Sequence, residues 1–450
     1  MKKKAVYFLL IFLISFGLYS TIDYNVKNNT KFYFFVKNKI PSNIKRFLRN
    51  EIQSFTKYMN KEELVLEKIN NTESKELGMI NFYNNKFFNF TGPRAYLASN
   101  NENFFLITGN GLLFYSKLSE FDSNKDIKLK EIKTNVLEIF DKYKIDKTDE
   151  LEEVTMVKSI LVHNDKVYFS ATIKLNEKCY KQKIFKSELN LDKMNFKEFF
   201  QIDECRTFYN NTSGGNITLF KDNKILYTLG DWKACQYLDK YPKNFCIEKG
   251  PQNLNSTLGK IISINLDDRK FQYLSTGHNN PQGITYNETS DIIFSAEHGP
   301  QGGDEVNIND LSDNSTEIKN FGWPIASYGE HYGYPSEDIK YLYEMAPLLK
   351  SHKDNGFVEP LDYFVPSVGI SDIENYQNKL FVASMGDSVI EGDLTLYIYE
   401  LNNKNDIINK KSVLINQRIR DLHIVGQKLF MFLESTGTIG VVNLNNLNLT

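Results

Sequence analysis

The sequence predicts an all-β fold built from one unit repeated six times. An apolar stretch, a tight polar turn and a strongly β-prone triplet recur along the chain. The triplets are Phe104-Phe105-Leu106, Val167-Tyr168-Phe169, Ile225-Leu226-Tyr227, Ile292-Ile293-Phe294, Leu380-Phe381-Val382 and Leu429-Phe430-Met431. Their turns hold Asn100-Asn101, Asn164-Asp165, Asp222-Asn223, Asn287-Glu288, Gln377-Asn378 and Gly426-Gln427, residues that accept hairpin backbone geometry. The intervals, about 50–90 residues, suit propeller blades with inserted loops better than a sandwich, whose turns recur every 8–12 residues or so. Each unit reads as the middle of an antiparallel sheet, and the periodicity by itself leaves another large all-β fold open.

Ahead of the repeats, Lys2, Lys3 and Lys4 precede an apolar run from Ala5 to Ile22. Its length falls between a signal-peptide core of about 7–15 residues and a membrane span of roughly 20. No A-x-A-like site follows and no Cys stands near its end, so residues 1–22 read as an uncleaved signal anchor in preference to a cleaved signal peptide. The lysines predict a cytoplasmic N-terminus with the rest of the chain exported, on the periplasmic side of the inner membrane, or secreted if the leader is cleaved. Residues 23–77, rich in Asn and Lys, read as a linker with a short helix from about Ser42, just after Pro41. The repeat-bearing domain is then 78–450.

With 54 Lys and Arg against 56 Asp and Glu, the net charge of −2 sets up no field for nucleic acid. The four cysteines suit an oxidising compartment. Cys235 and Cys246 bracket a short loop, Cys179 and Cys205 bracket what reads as a hairpin with its connection, and those are the expected disulfides.

From Gly277 to Pro324 the chain reads GHNNPQG, then AEHGPQGGDE, then NFGWP. These motifs in this order resemble the glucose/sorbosone dehydrogenase family of quinoprotein β-propellers, and the resemblance runs from about Gly92 to the C-terminus. It implies a six-bladed β-propeller that oxidises aldose sugars to lactones with pyrroloquinoline quinone (PQQ) and Ca²⁺. Gly302-Gly303-Asp304-Glu305 taken alone resembles the nucleotide loop of diguanylate cyclases. That fold alternates helices with strands, and the flanking His298-Gly299-Pro300 and Gly322-Trp323-Pro324 match the dehydrogenases instead.

By the resemblance, the carbonyls of Gly299 and Pro300 face calcium, with Glu297, Asp304 and Glu305 as carboxylate ligands, oxygen donors being right for that ion. Phe321 stands where the family usually has Tyr, removing one oxygen. Asn280 and Gln282 are the family's cofactor or substrate contacts, and Arg418 and Arg420 its guanidiniums for the quinone carboxylates. Residues at i and i+2 on a strand point the same way, which converging on one anion requires. Three positions depart from the pattern. Thr212 replaces the His base, leaving Asp231, the acid that orients the base, without its partner. Asn279 replaces a cofactor-binding Arg, exchanging a charged planar fork for a neutral amide. Gly386 replaces a cofactor-binding Lys. The expectation is weakened PQQ-dependent sugar oxidation. The alternative is a catalytically silent calcium-binding propeller that takes a carbohydrate or protein partner.

Overall fold

The computed structural model describes residues 63–69, 71–85, 94–123, 125–142, 156–176, 179–206, 212–221, 223–236, 244–312, 317–386 and 393–447. The N-terminal apolar run and the helix expected near Ser42 lie outside them. Among the described residues no helix is long and apolar enough to cross a membrane.

All six triplets fall on the second strand of a set of four antiparallel strands, to which the third sheet adds a short parallel strand, Lys319–Asn320, and the sheets follow one another in chain order. The second strands are Asn103–Thr108, Lys166–Asn176, Lys224–Leu229, Ile292–His298, Lys379–Ser384 and Lys428–Leu433. The turns leading into them take positive φ at Asn164, Asp165, Asn223, Gln377 and Gly426, the geometry for which Asn, Asp and Gly are suited. The first strands, Ala95–Ser99, Met156–His163, Gly214–Phe220, Asn280–Asn287, Ile370–Tyr376 and Ile419–Val425, stand side by side in a ring. Side chains stitch neighbours together: Leu97 N donates to Asp421 Oδ2 (2.7 Å), Leu422 N to Asp372 Oδ2 (2.8 Å) and Asn216 Nδ2 to the Gln282 carbonyl (2.9 Å). The result is a β-propeller of six sheets.

Packing explains why the triplets are continuous apolar runs. The large apolar clusters lie between adjacent sheets. One joins Phe104 and Leu106 to Phe430 and Phe432; another joins Phe105 and Ile107 to Phe169 and Phe185. A second strand is covered on both faces, so alternation disappears, and Asn103–Thr108 is buried at every position. At about 1.5–3 kcal/mol per buried large apolar side chain, these inter-sheet layers supply most of the driving force.

The ring is sealed from the N-terminal side. Gly78–Asn84 pairs with Thr438–Asn443 and completes the last sheet, so one sheet holds strands from both ends of the domain. Glu63–Lys68, inside the segment that reads as linker, pairs with both Gly78–Asn84 and Ile127–Thr134 and fuses the first sheet to the last. The folded domain therefore starts before residue 78. Both expected disulfides form, Cys179–Cys205 and Cys235–Cys246, and the second is buried against Trp323, Ala346 and Leu348.

Candidate functional site

Five of the six first strands carry a β-bulge near their start, at Lys158, Gly215-Asn216, Gln282, Ser371 and Arg420. Bulges re-aim side chains at sheet rims and beside binding sites. Two sequence-predicted residues, Gln282 and Arg420, occupy them.

Thr212 and Asp231 are brought together by Gly230. A Cβ at Gly230 would sit 2.1 Å from the Thr212 carbonyl oxygen, so only glycine lets the two segments lie this close. Gly230 N donates to the Ser213 carbonyl (2.9 Å) and Trp232 N to that of Thr212 (3.0 Å), fixing the approach. The fully buried Asp231 carboxylate then accepts three hydrogen bonds. They come from Trp323 Nε1 (2.8 Å), Lys233 N (2.7 Å) and Thr212 Oγ1 (3.3 Å). Burial pushes its pKa up to about 7, against the pull of these donors and of the Lys233 ammonium.

Asn279 is joined to the same centre through its backbone, which accepts from Asp231 N (2.7 Å) and donates to Glu297 Oε1. Its side chain is buried, and neither amide atom has a hydrogen-bond partner. An unsatisfied buried amide costs about 1–3 kcal/mol, so the Asn279 side chain is a local weak point of the packing. Asn280 is committed within the protein, its Oδ1 accepting from Gly214 N (3.1 Å) and Gln282 Nε2 (2.8 Å).

The acidic loop is bound inward. Glu297 accepts from buried His278 Nδ1 (2.7 Å), and the other ring nitrogen of His278 meets Ser275 Oγ (2.7 Å), which makes this histidine a brace. Asp304 accepts from Gly299 N (3.1 Å), Ser367 Oγ (2.9 Å) and Ile370 N (2.9 Å). Glu305 lies 3.2 Å from His352 Nε2 and accepts from Asn307 Nδ2 (3.3 Å). Among the described residues no three His, Cys, Asp or Glu side chains form a group that could hold a metal. The carboxylates of Glu297, Asp304 and Glu305 are engaged in shaping their loop. Phe321, where the family has Tyr, stacks on His278 with ring centroids 4.8 Å apart.

The two arginines do not lie on a regular strand. Arg418 precedes Ile419–Val425, and the bulge between Ile419 and Asp421 breaks the alternation at Arg420. Both still act on His298 electrostatically, so they belong to the same end of the axis as the acidic loop. Arg420 donates through Nε and Nη2 to Glu434. Burial alone would raise the Glu434 pKa, but Arg420, Arg94 and Arg418 hold it down to about 2. At Gly386 a Cβ would sit 2.1 Å from Asp393 Cγ, so the Asp393 carboxyl group fills the space a side chain would take.

Sequence reasoning missed Arg94 and Glu434, which sit in no motif, and assigned no role to Trp323 although it was part of one. The unsatisfied Asn279 amide and the arginines around Glu434 offer hydrogen bonds and positive charge suited to a polyanionic, polar ligand.

Six sheets around an axis, with a buried carboxylate, an unsatisfied amide and clustered guanidiniums near the starts of their first strands, define a β-propeller. The chain belongs to the Glucose / Sorbosone dehydrogenase family, whose sequence model matches residues 151–440. An uncharacterised protein, slr1608, of Synechocystis sp. (strain ATCC 27184 / PCC 6803 / Kazusa) is 28% identical over 224 residues, 46% of this chain and 50% of that protein. The aldose sugar dehydrogenase YliI of Escherichia coli (strain K12) is 30% identical over 157 residues, 30% of this chain and 38% of that protein. The chain thus spans half or less of the length of these relatives. Among solved structures, a glucose dehydrogenase superposes with a TM-score of 0.58 at 19% identity, over 78% of this chain and 96% of that one. The soluble aldose sugar dehydrogenase of Escherichia coli in its apo-form gives 0.57 at 17% identity, over 78% and 95%. At such identities the likeness shows the shared fold.

Proposed function

We propose that this protein oxidises aldose sugars to lactones with PQQ as cofactor and Ca²⁺ beside it, at a rate lowered by the replacement of the base histidine. The observation that carries the reading is the Asn279 amide, buried and unsatisfied beside Asp231 in a chain of the sugar dehydrogenase family. When bound, PQQ supplies the electrophilic carbonyl that receives hydride. Arg418, Arg420, Asn279, Asn280 and Gln282 would hold it, and the carbonyls of Gly299 and Pro300 would face the calcium ion. The retained arginines answer the cofactor's carboxylates, although Glu434 competes for Arg420. Two disulfides support an exported domain, which agrees with an N-terminal anchor on the membrane.

A second reading is favoured by one observation. Arg420 is paired with Glu434, and Asn280 is bonded to Gln282 and Gly214, so part of the cofactor set is satisfied without a cofactor. That suits a silent propeller that binds calcium and a carbohydrate or protein partner. Purified protein supplied with PQQ and Ca²⁺ and assayed for reduction of an artificial electron acceptor over a panel of aldoses separates the two. Slow reduction that requires PQQ supports the enzyme; calcium binding without reduction supports the silent propeller.

A further inference from the structure

The loss of the family's histidine leaves a proton without an acceptor, and the neighbourhood of Asp231 supplies another. Asp231 is fully buried and reaches no substrate itself, whereas Thr212 is partly exposed and donates its hydroxyl to Asp231 Oδ1 at 3.3 Å. The second carboxylate oxygen is held by Trp323 Nε1 at 2.8 Å, and Oδ1 also accepts Lys233 N at 2.7 Å, so the carboxylate is fixed with its remaining Oδ1 lone pair directed at the Thr212 hydroxyl it accepts.

We propose that Thr212 and Asp231 together form the proton acceptor of this site, the threonine hydroxyl relaying the proton of the sugar hydroxyl to the buried carboxylate. The inference rests on the sugar-oxidising reading above. In the step, the O–H bond of the sugar's anomeric hydroxyl breaks and its proton passes to Thr212 Oγ1. The proton already on Thr212 passes to Asp231 Oδ1, and the carbonyl of the lactone forms. The anomeric C–H bond breaks with its electron pair, which leaves as hydride to the ortho-quinone acceptor that the reading names. Threonine carries no net charge before or after, so its own high pKa is no obstacle. What matters is the proton affinity of Asp231, and burial has brought that to about 7, where a general base works best. The charged side chain acting on Asp231 is Lys233, on its own turn, its ammonium 5.4 Å from the Tyr332 ring. Among the described residues, the elements packed against it bring the Thr212 hydroxyl and the Trp323 indole to its carboxylate.

Trp323 makes the relay observable without cofactor, since ionisation of Asp231 changes the charge hydrogen-bonded to its indole. The chain has two tryptophans, so Trp323→Phe isolates the signal. In protein without PQQ, intrinsic fluorescence titrated through neutral pH should show a transition near 7, absent in Asp231→Asn and in Trp323→Phe. Thr212→Ala should move the midpoint upward, because the hydroxyl's hydrogen bond favours the carboxylate, and Thr212→Ser should restore it. With PQQ and Ca²⁺, Thr212→Ala should lower turnover about 10²–10⁴-fold, the usual worth of a positioned acid–base group, with PQQ affinity unchanged. Thr212→Ser should recover most of that loss. A flat fluorescence profile in the wild type, or turnover that survives Thr212→Ala, overturns the relay alone. Wild-type protein that binds PQQ but turns over no aldose overturns the sugar-oxidising reading and the relay with it.

Discussion

Replacing Glu434 by Gln probes the electrostatics of the site most sharply. The carboxylate is bonded to Arg420 and lies in the field of Arg94 and Arg418, and these cations overcome burial to bring its pKa from 4.5 to about 2. That lowering corresponds to about 3 kcal/mol of stability at neutral pH. Breaking one side of a buried ion pair generally costs about 3–5 kcal/mol, which agrees. Because the folded pKa lies below the unfolded one, the contribution is complete above pH 4.5 and is lost as pH falls toward 2. Urea denaturation of the wild type and Glu434→Gln should therefore differ by about 3 kcal/mol at neutral pH, with the gap closing as the buffer is acidified through that window. The same variant removes the carboxylate bonded to Arg420, so its affinity for PQQ should rise while its stability falls. Equal stability at neutral pH, or a gap indifferent to pH, would refute the assignment of Arg420 to Glu434.

Gly230→Ala should force the Thr212 carbonyl away from the new methyl and cost about 1–3 kcal/mol as overpacking, and circular dichroism melts would record it with the shift in Trp323 fluorescence. Cys235→Ser opens a loop with a sequence separation of 11, for which chain entropy gives a loss of about 3 kcal/mol, measurable by denaturation against the oxidised wild type. Asn279→Arg returns a charged fork to a buried position without partners, and PQQ titration should show at least about tenfold tighter binding, since a buried charged pair is worth about 2–5 kcal/mol.

The propeller was legible in the sequence because its second strands are buried on both faces and its turns need left-handed residues. Both signals are local, and so were the two disulfide loops. The closure of the ring was not. In Glu63–Lys68 the strand reads Glu-Leu-Val-Leu-Glu-Lys, where Leu64 and Leu66 face the core and Val65 faces solvent, but three apolar residues in a row hide that alternation. Its partner Ile127–Thr134 lies far along the chain. The site was legible as motifs but not as connections. Asp231 meets Trp323 across 92 residues, and nothing in either segment foretells it. The expectation that Arg418 and Arg420 share a face assumed a regular strand, and the bulge at Arg420 removed that premise. The acidic loop drew attention for its oxygen donors, yet its carboxylates are spent on His278, Asn307, His352 and backbone N–H groups.

The most direct measurement removes the electron acceptor altogether. Protein loaded with PQQ and Ca²⁺ is mixed anaerobically with an aldose in excess, and the absorbance of the bound quinone is followed in time. The account predicts slow reduction of one cofactor per site, with a rate that depends on the sugar and is lost in Thr212→Ala. Quinone absorbance that stays unchanged with every aldose, in protein shown to hold PQQ, would contradict it.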